Sequence, residues 1–347
     1  DGGRLKKGMK KFHKIAAALL AVCLAGVLLA GCAGSSSSGP SAAPSGSSQP
    51  QQGESLQVVT TIFPIYDWAR QVIGDVPGVE LVWLQDTGVD MHSYQPSAED
   101  MLKLSSCDVF LYVGGTSDSW VDGALKEAVN PDMKVLSLLE ILGDNARLEE
   151  LTEGMQAEDH EGHDHGDEDE YDEHVWLSVK NASLLTQSIA DTLAQLDPAH
   201  ADAYAANAAA YEAQLADLDA QYQAAVDAAS VKTVLFGDRF PFRYLTEDYG
   251  LEVYAAFPGC SAETEASFET IAFLAGKVDE LHLPAVLTIE NSDQRVAQTI
   301  IQNTASKDAA LLRLDSMQGT SAEDVAAGTT YLSIMESNLD VLKAALA

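Results

Sequence analysis

Histidine and carboxylate side chains alternate through residues 157–173, a segment with no counterpart elsewhere in the chain. Three histidines there are flanked by carboxylates: His160, His163 and His165. Imidazole and carboxylate ligands together suit Zn²⁺ and related divalent ions. A solvated acidic loop with incidental histidines is the alternative, but three histidines within six residues favour metal. We predict a loop that collects metal and passes it to a fixed site beginning at His174, where the apolar segment 175–177 follows.

A second candidate histidine, His92, lies in the loop 88–96, which contains Gly, Asp and Pro and follows a predicted strand. Ligands gather at strand ends in open α/β sheets. A histidine in such a loop is not an obvious core residue. The residues alone leave a metal-ligand role and a structural role open for His92.

Carboxylates follow predicted strands in the second half of the chain. Asp238 comes after the predicted strand 231–236, and Asp315 comes after the predicted strand 311–314. Asp238 is a candidate oxygen ligand, but it could instead pair with Arg239 or cap the next helix. Asp315 could face a cleft or cap a turn. The competing acids are Glu263, Glu265 and Glu290.

Two histidines from the first half and one or two carboxylates from the second would make a mixed nitrogen and oxygen site across a cleft. Such ligands suit Zn²⁺ or Mn²⁺ more than Cu(I), which prefers sulfur. The sequence contains no HExxH, GxSxG, P-loop or Rossmann glycine pattern. We therefore expect binding without catalysis, with a metallohydrolase that keeps an open water position as the alternative.

Residues 1–32 have the pattern of a bacterial secretory signal with a lipobox. Lysines precede the apolar stretch 15–29, which runs on to Leu-Ala-Gly-Cys32. That stretch is shorter than the about 20 residues that a membrane span needs. Met9 is the expected start, and Cys32 is the expected site of lipidation. Ser, Gly, Pro and Gln dominate residues 33–54, which we interpret as a flexible tether.

The formal net charge of −33 restricts the partners of the chain. Nucleic-acid binding needs clustered Lys and Arg and is not expected here. The acidic balance suits a cationic ligand, although it also serves solubility. Two of the four cysteines, Cys107 and Cys260, follow the tether. An exported protein permits a bridge between them, but Cys107 lies in an apolar strand-like run, which disfavours one.

Strands and helices alternate in two separate parts of the chain, which predicts an α/β fold with two lobes, each a mostly parallel sheet flanked by helices. We place the N-terminal lobe at 55–177, linking helices at 178–230 and the C-terminal lobe at 231–347. The second linking helix, over 199–228, would be roughly 45 Å long at 1.5 Å per residue. That length is enough to pass alongside both lobes.

Five segments of the chain carry a family resemblance. They are Val58–Tyr66, Gly88–Pro96, Leu111–Gly115 with Trp120, Glu173–Ser178 and Thr330–Leu339. In these segments the chain resembles the metal-binding solute-binding lipoproteins of bacterial ABC transporters, in the zinc-uptake-like branch of the zinc/manganese group (cluster A-I). The resemblance covers residues 56–347, and a His/acid loop before the second histidine motif is typical of the zinc branch.

The resemblance implies two lobes joined by one rigid helix, with metal in the cleft between them. It implies ligands at His92, His174 and Asp315. In the zinc branch a third histidine usually follows the strand that opens the second lobe, and in the manganese branch a glutamate does. This chain has Gly-Asp-Arg there, so we expect Asp238 as the substitute. Cys260 or one of the competing glutamates is the alternative.

These inferences combine into one predicted function. We expect a monomer, lipid-anchored through Cys32 on the extracytoplasmic face of the cell membrane. It would capture Zn²⁺, with Mn²⁺ as the second choice, and deliver it to an ABC permease and its ATPase. The alternatives are the metallohydrolase and a surface metal store or adhesin, in which the His/acid loop itself would be the functional part.

Overall fold

Two four-stranded parallel sheets organise the protein in a computed structural model that describes residues 55–156, 170–261 and 265–347. The strands are β1 Leu56–Thr60, β2 Val79–Trp83, β3 Val109–Tyr112, β4 Lys134–Ser137, β5 Thr233–Phe240, β6 Glu252–Pro258, β7 Ala285–Thr288 and β8 Ala310–Arg313. The N-terminal sheet has the order β2-β1-β3-β4, and the C-terminal sheet has the matching order β6-β5-β7-β8. The predicted fold class is confirmed.

Each central strand is covered on both faces, which explains its continuous apolar sequence. In β1, Val58, Val59 and Thr60 are all buried. Strand β4 was not predicted from the sequence, because it is short and its first two residues are exposed. Strand β5 was predicted to end at Phe236, which is wrong: a register irregularity follows Phe236, and the strand continues to Phe240.

Helices flank both sheets, and six of them begin at a side-chain cap. They are α1 Phe63–Ile73, α2 Ala98–Ser106, α3 Val121–Lys126, α4 Leu138–Leu142, α5 Val179–Leu196, α6 Ala201–Ala228, α7 Arg243–Tyr249, α8 Phe268–Leu281, α9 Arg295–Asn303, α10 Ala322–Ala326 and α11 Tyr331–Ala345. At the start of α2, the Ser97 hydroxyl accepts from the Asp100 N–H, and the Asp100 carboxylate accepts from the Ser97 N–H. This reciprocal capping box fixes the start of the helix.

The linking helix α6 has 28 residues, which corresponds to roughly 42 Å at 1.5 Å per residue. Near its start, the Asn207 amide donates to the carbonyl oxygen of Val72 in α1. Near its end, the Tyr222 hydroxyl donates to the carbonyl oxygen of Met335 in α11. The helix therefore contacts the helices of both sheets, as predicted. The exact domain bounds stay a prediction.

Buried hydrogen bonds also connect the two lobes directly. The Tyr331 N–H donates to the carboxylate of Asp67 over 2.8 Å, and the Tyr331 hydroxyl donates to the Trp176 carbonyl over 2.7 Å. The Trp176 indole N–H donates to the Ser316 carbonyl over 2.9 Å. All four residues are buried. Because a lost partner would leave a buried polar group unpaired, these bonds hold the lobes in a defined arrangement.

Within the described ranges, no helix has both the length and the apolar character that crossing a bilayer requires.

Candidate metal centre

His92 is positioned by a short 3₁₀ turn, Met91–Ser93, in the loop after β2. The Asp90 carboxylate accepts a hydrogen bond from the His92 N–H over 3.1 Å and so caps this turn. The other Asp90 oxygen accepts from the guanidinium of Arg239 in β5 over 2.8 Å. An ion pair from the C-terminal lobe therefore holds the His92 loop in place. No pattern in the sequence indicated this partner.

His174 is fully buried and precedes a second 3₁₀ turn, Val175–Leu177. One oxygen of Asp172 accepts from the His174 N–H over 2.8 Å and lies 2.9 Å from His174 Nδ1. The carboxylate therefore holds the proton on Nδ1 and turns Nε2 toward the cleft. A carboxylate in this place is the usual support for a metal-ligating histidine.

The two imidazoles meet at their Nε2 atoms, which are 3.2 Å apart. Two Zn–N bonds of 2.0–2.1 Å at a tetrahedral angle separate their nitrogens by about 3.3 Å. The rings cross at 60° with centroids 5.2 Å apart. The pair is thus spaced as two ligands of a single zinc ion would be. We predicted each histidine as a ligand, and the structure brings the two together.

The Nδ1 atom of His92, on the side of the ring away from His174, lies near two oxygen atoms. His92 Nδ1 lies 2.7 Å from the Ser117 hydroxyl and 3.6 Å from Glu173 Oε2. The other Glu173 oxygen accepts from the Ser117 N–H over 2.8 Å. A side chain at Gly115 would come within 2.3 Å of that oxygen, so the close approach requires glycine. Sequence reasoning missed Ser117 and Glu173 as supports, although Glu173 adjoins His174.

The electrostatic environment differs between the two imidazoles. Burial, and next to it the neighbouring His174, lowers the pKa of His92. Burial also opposes a charge on His174, but the Asp172 carboxylate outweighs it and raises the pKa of His174. In the metal-free protein, protonation is therefore favoured on His174 and disfavoured on His92.

Cys260 is the third potential ligand at this point. Its Sγ and the ring nitrogens of His92 and His174 all lie within 4.8 Å of one another. The thiol is free, and burial, followed by Glu149, raises its pKa. Sequence reasoning considered Cys260 only as an alternative. The feature that could have indicated Cys260 is its position just after strand β6, since His92 also lies in a loop that follows a strand.

Asp238 and Asp315 are not part of this group among the residues that the structure describes. Asp238 lies inside β5 rather than in a loop after it, and one of its oxygens accepts from the Arg239 N–H over 2.9 Å. Asp315 accepts from the Met317 N–H over 2.8 Å. Burial and then Glu290 raise the pKa of Asp315. Their roles as ligands stay predictions.

The remaining candidates are distributed away from the histidine pair or lie outside the described residues. The Glu290 carboxylate accepts from the backbone N–H groups of Ser316, Gln318 and Gly319, which makes it a support of that loop. Glu265 is exposed. The candidates outside the described ranges are Glu263, the loop histidines His160, His163 and His165, and the lipidation site Cys32.

A cavity of about 360 Å³ adjoins the site on the side of Asp172 and Gly259. Its wall includes five carboxylates and one cation: Glu149, Glu150, Glu153, Asp172, Glu247 and Arg243. Residues 149–155 of this wall come directly before the His/acid segment. The excess of negative charge makes this cavity a favourable approach for a cation.

Comparison with known proteins shows which family and which structures the chain is similar to. The family described as zinc-uptake complex component A periplasmic (ZnuA) matches residues 58–345. Zinc-binding lipoprotein AdcA of Streptococcus pneumoniae is 34% identical over 301 residues, which are 86% of this chain and 57% of that protein. The chain thus spans little more than half of that relative. High-affinity zinc uptake system protein ZnuA of Bacillus subtilis is 28% identical over 94% of this chain and 96% of its own length.

Solved structures show the same fold. The Zn(II)-bound ZnuA-like domain of Streptococcus pneumoniae AdcA aligns with a TM-score of 0.65 at 30% identity, over 84% of this chain and 99% of that domain. The metal-dependent lipoprotein YcdH of Bacillus subtilis aligns with a TM-score of 0.67 at 27% identity, over 84% of this chain and all of that one.

Proposed function

Because the chain belongs to the zinc-uptake complex component A periplasmic family, we propose that it captures Zn²⁺ outside the cytoplasm and delivers it to an ABC importer. Members of this family are substrate-binding transport proteins rather than enzymes, which confirms the prediction that the chain is not an enzyme. The metallohydrolase alternative is thereby removed.

The single observation that carries the proposal is the histidine pair. His92 and His174 come from separate segments, and their Nε2 atoms are 3.2 Å apart. Each ring is oriented from behind, His174 by Asp172 and His92 by Ser117. Preorganised imidazoles avoid much of the ordering cost of binding. A core that only needed packing would not support both rings in this way.

Zinc is the proposed metal, with Mn²⁺ as the second choice. Imidazole ligands suit Zn²⁺, whereas Mn²⁺ prefers carboxylate, carbonyl and water oxygens. The nearest carboxylates, Asp172 and Glu173, support the imidazoles from behind and do not belong to the group of converging ligand atoms. The donor atoms that converge at the pair therefore favour Zn²⁺.

The proposal includes a membrane location and a transport partner. Relatives are named lipoproteins, and the lipobox of this chain supports an anchor at Cys32, which lies outside the described residues. An ABC permease and its ATPase are the proposed partners, and the protein is proposed to act as a monomer.

Calorimetry with a competing chelator tests the histidine pair, because competition isolates the tightest site. We expect His92→Ala and His174→Ala each to weaken zinc binding by about fiftyfold or more. The reason is that about 10–16 kcal/mol of zinc binding shared among three or four ligands makes each worth ~2.5–5 kcal/mol.

A matched control is His282→Asn. His282 is exposed and has a φ of +54°, which asparagine tolerates, so zinc affinity should not change. An unchanged affinity in either pair variant would contradict the proposed site.

A further inference from the structure

Cys260 is a free thiol beside the two proposed histidine ligands, and the proposed function assigns it no role. We propose that its thiolate is the third protein ligand of the zinc bound by His92 and His174, which gives the site two nitrogens and one sulfur. This inference rests on the proposed function.

The distances permit this coordination with a small movement. A Zn–N bond of about 2.05 Å and a Zn–S bond of about 2.3 Å at a tetrahedral angle place nitrogen and sulfur about 3.5 Å apart. The ligand atoms of the three residues already lie within 4.8 Å of one another. The remaining approach is therefore about 1.3 Å or less, which the side-chain rotation of a cysteine covers.

The backbone around Cys260 is held against the histidine pair. A side chain at Gly259 would come within 2.9 Å of His174 Cε1, so Gly259 packs directly on that imidazole. The backbone of Cys260 is hydrogen-bonded to the Glu149 carboxylate. Because Gly259 leaves no room for a side chain, residue 260 is the first position after β6 that can present a ligand.

The surroundings of Cys260 argue against a purely structural role. Both described cysteines are free, and Cys107 is buried beside β3 in the other lobe. A structural cysteine packs as a small apolar side chain. The charged groups near Cys260 are three carboxylates, Glu149, Glu173 and Asp172, and one guanidinium, Arg239. This charged setting, in which carboxylates outnumber the cation, suits a bound cation more than apolar packing.

The thiolate also accounts for the unusual sequence at the expected third-ligand position. That position reads Gly237-Asp238-Arg239, and the Arg239 guanidinium is engaged with Asp90 over 2.8 Å. Among the described residues, Asp238 contributes no atom to the group of ligand atoms at the histidine pair. The adjacent strand β6 supplies the donor instead, because β5 and β6 are paired and end at the same edge of the sheet.

A thiolate ligand has two consequences. Sulfur favours zinc and softer ions and disfavours Mn²⁺, so Cys260 would make the site more selective for zinc. When the Zn–S bond forms, the thiol S–H bond breaks and its proton passes to solvent, so zinc binding releases a proton.

Cobalt substitution tests the bond directly. Co²⁺ bound by a thiolate gives an intense sulfur-to-metal charge-transfer absorption in the near ultraviolet, which imidazole and carboxylate ligands do not give. We expect this band in the Co²⁺-loaded protein, its loss in Cys260→Ser, and its retention in the matched control Cys107→Ala. Cys260→Ser should also weaken zinc binding at least about tenfold.

The outcomes separate the two proposals. Tight zinc binding by the unaltered protein without a charge-transfer band on cobalt loading would overturn the role of Cys260 and leave the proposed function in place. A failure of the unaltered protein to bind zinc would overturn the proposed function as well. The unaltered protein decides both questions, so the test does not depend on the folding of a variant.

Discussion

Asp172→Asn is the most specific substitution at the site. It changes only the buried carboxylate that contacts His174, and it leaves both proposed histidine ligands in place. Asp172 Oδ1 accepts from the His174 N–H over 2.8 Å and from Nδ1 over 2.9 Å. Asparagine has the same shape and keeps one acceptor oxygen, but it carries no charge. The substitution therefore removes the charge while the acceptor stays in place.

The expected loss of zinc affinity is about tenfold to a hundredfold, the effect of removing an outer carboxylate from a metal-ligating histidine. This corresponds to ~1.4–2.8 kcal/mol. The buried position of Asp172, whose side chain is 4% exposed, keeps water from replacing the lost charge. The same burial places the loss toward the upper end of the range.

The difference in zinc affinity between Asp172→Asn and the unaltered protein should depend on pH in one direction. Asp172 raises the pKa of His174 in the metal-free protein, so zinc must displace a proton from His174 below that pKa and binds more weakly there. In Asp172→Asn the largest of the effects that raise the pKa of His174 is absent, so this pKa falls and the competition weakens. The affinity gap between the two proteins should therefore narrow as the pH falls through the pKa of His174.

Chelator competition at a series of pH values from about 5.5 to 8 measures both effects, since the ordinary histidine pKa of about 6.5 lies inside that range. Asp132→Asn, at an exposed aspartate of the same lobe, is the control and should bind like the unaltered protein. Two results would contradict a role of the Asp172 charge in zinc binding. One is equal zinc affinity of Asp172→Asn and the unaltered protein at pH 8, and the other is a difference in affinity that widens as the pH falls.

Two further expectations concern the carboxylates and the His/acid segment. Asp238→Ala should change zinc affinity less than Asp315→Ala, because Asp238 is held inside β5 and the resemblance places a ligand at Asp315. Calorimetry that shows the reverse order would restore Asp238 as the predicted third ligand. Deletion of 157–169 should remove weak additional zinc ions and keep one tight ion, since Asp172 and His174 remain. Loss of all zinc in equilibrium dialysis would make the deleted segment the site itself.

The local features of this protein were predictable from its sequence. Buried strands such as β1 and β7 are short apolar runs, and α2 begins at a serine cap, so neighbouring residues alone indicate them. His174 was predicted for a similar reason, since it lies between the His/acid segment and an apolar run, and the family resemblance implied His92. Strand β4 was not predicted and the end of β5 was predicted wrongly, because exposed residues and a register irregularity interrupt the apolar pattern.

Partners across the cleft were not predictable, because they are far apart in sequence. Arg239 reaches Asp90 from the other lobe, and Ser117 reaches His92 from a different loop. No local pattern indicates such pairs. Their positions depend on how the two sheets pack around α6.

Periodicity and short motifs are local, so the amino-acid sequence was enough to indicate the type of fold, the metal-binding character and the candidate ligand His174, and the resemblance added His92. Which side chains meet depended on the tertiary structure. It brought Cys260 to the histidine pair and kept Asp238 within β5. The physical reason is that a metal site selects donors by distances of a few ångströms, and packing between lobes sets those distances.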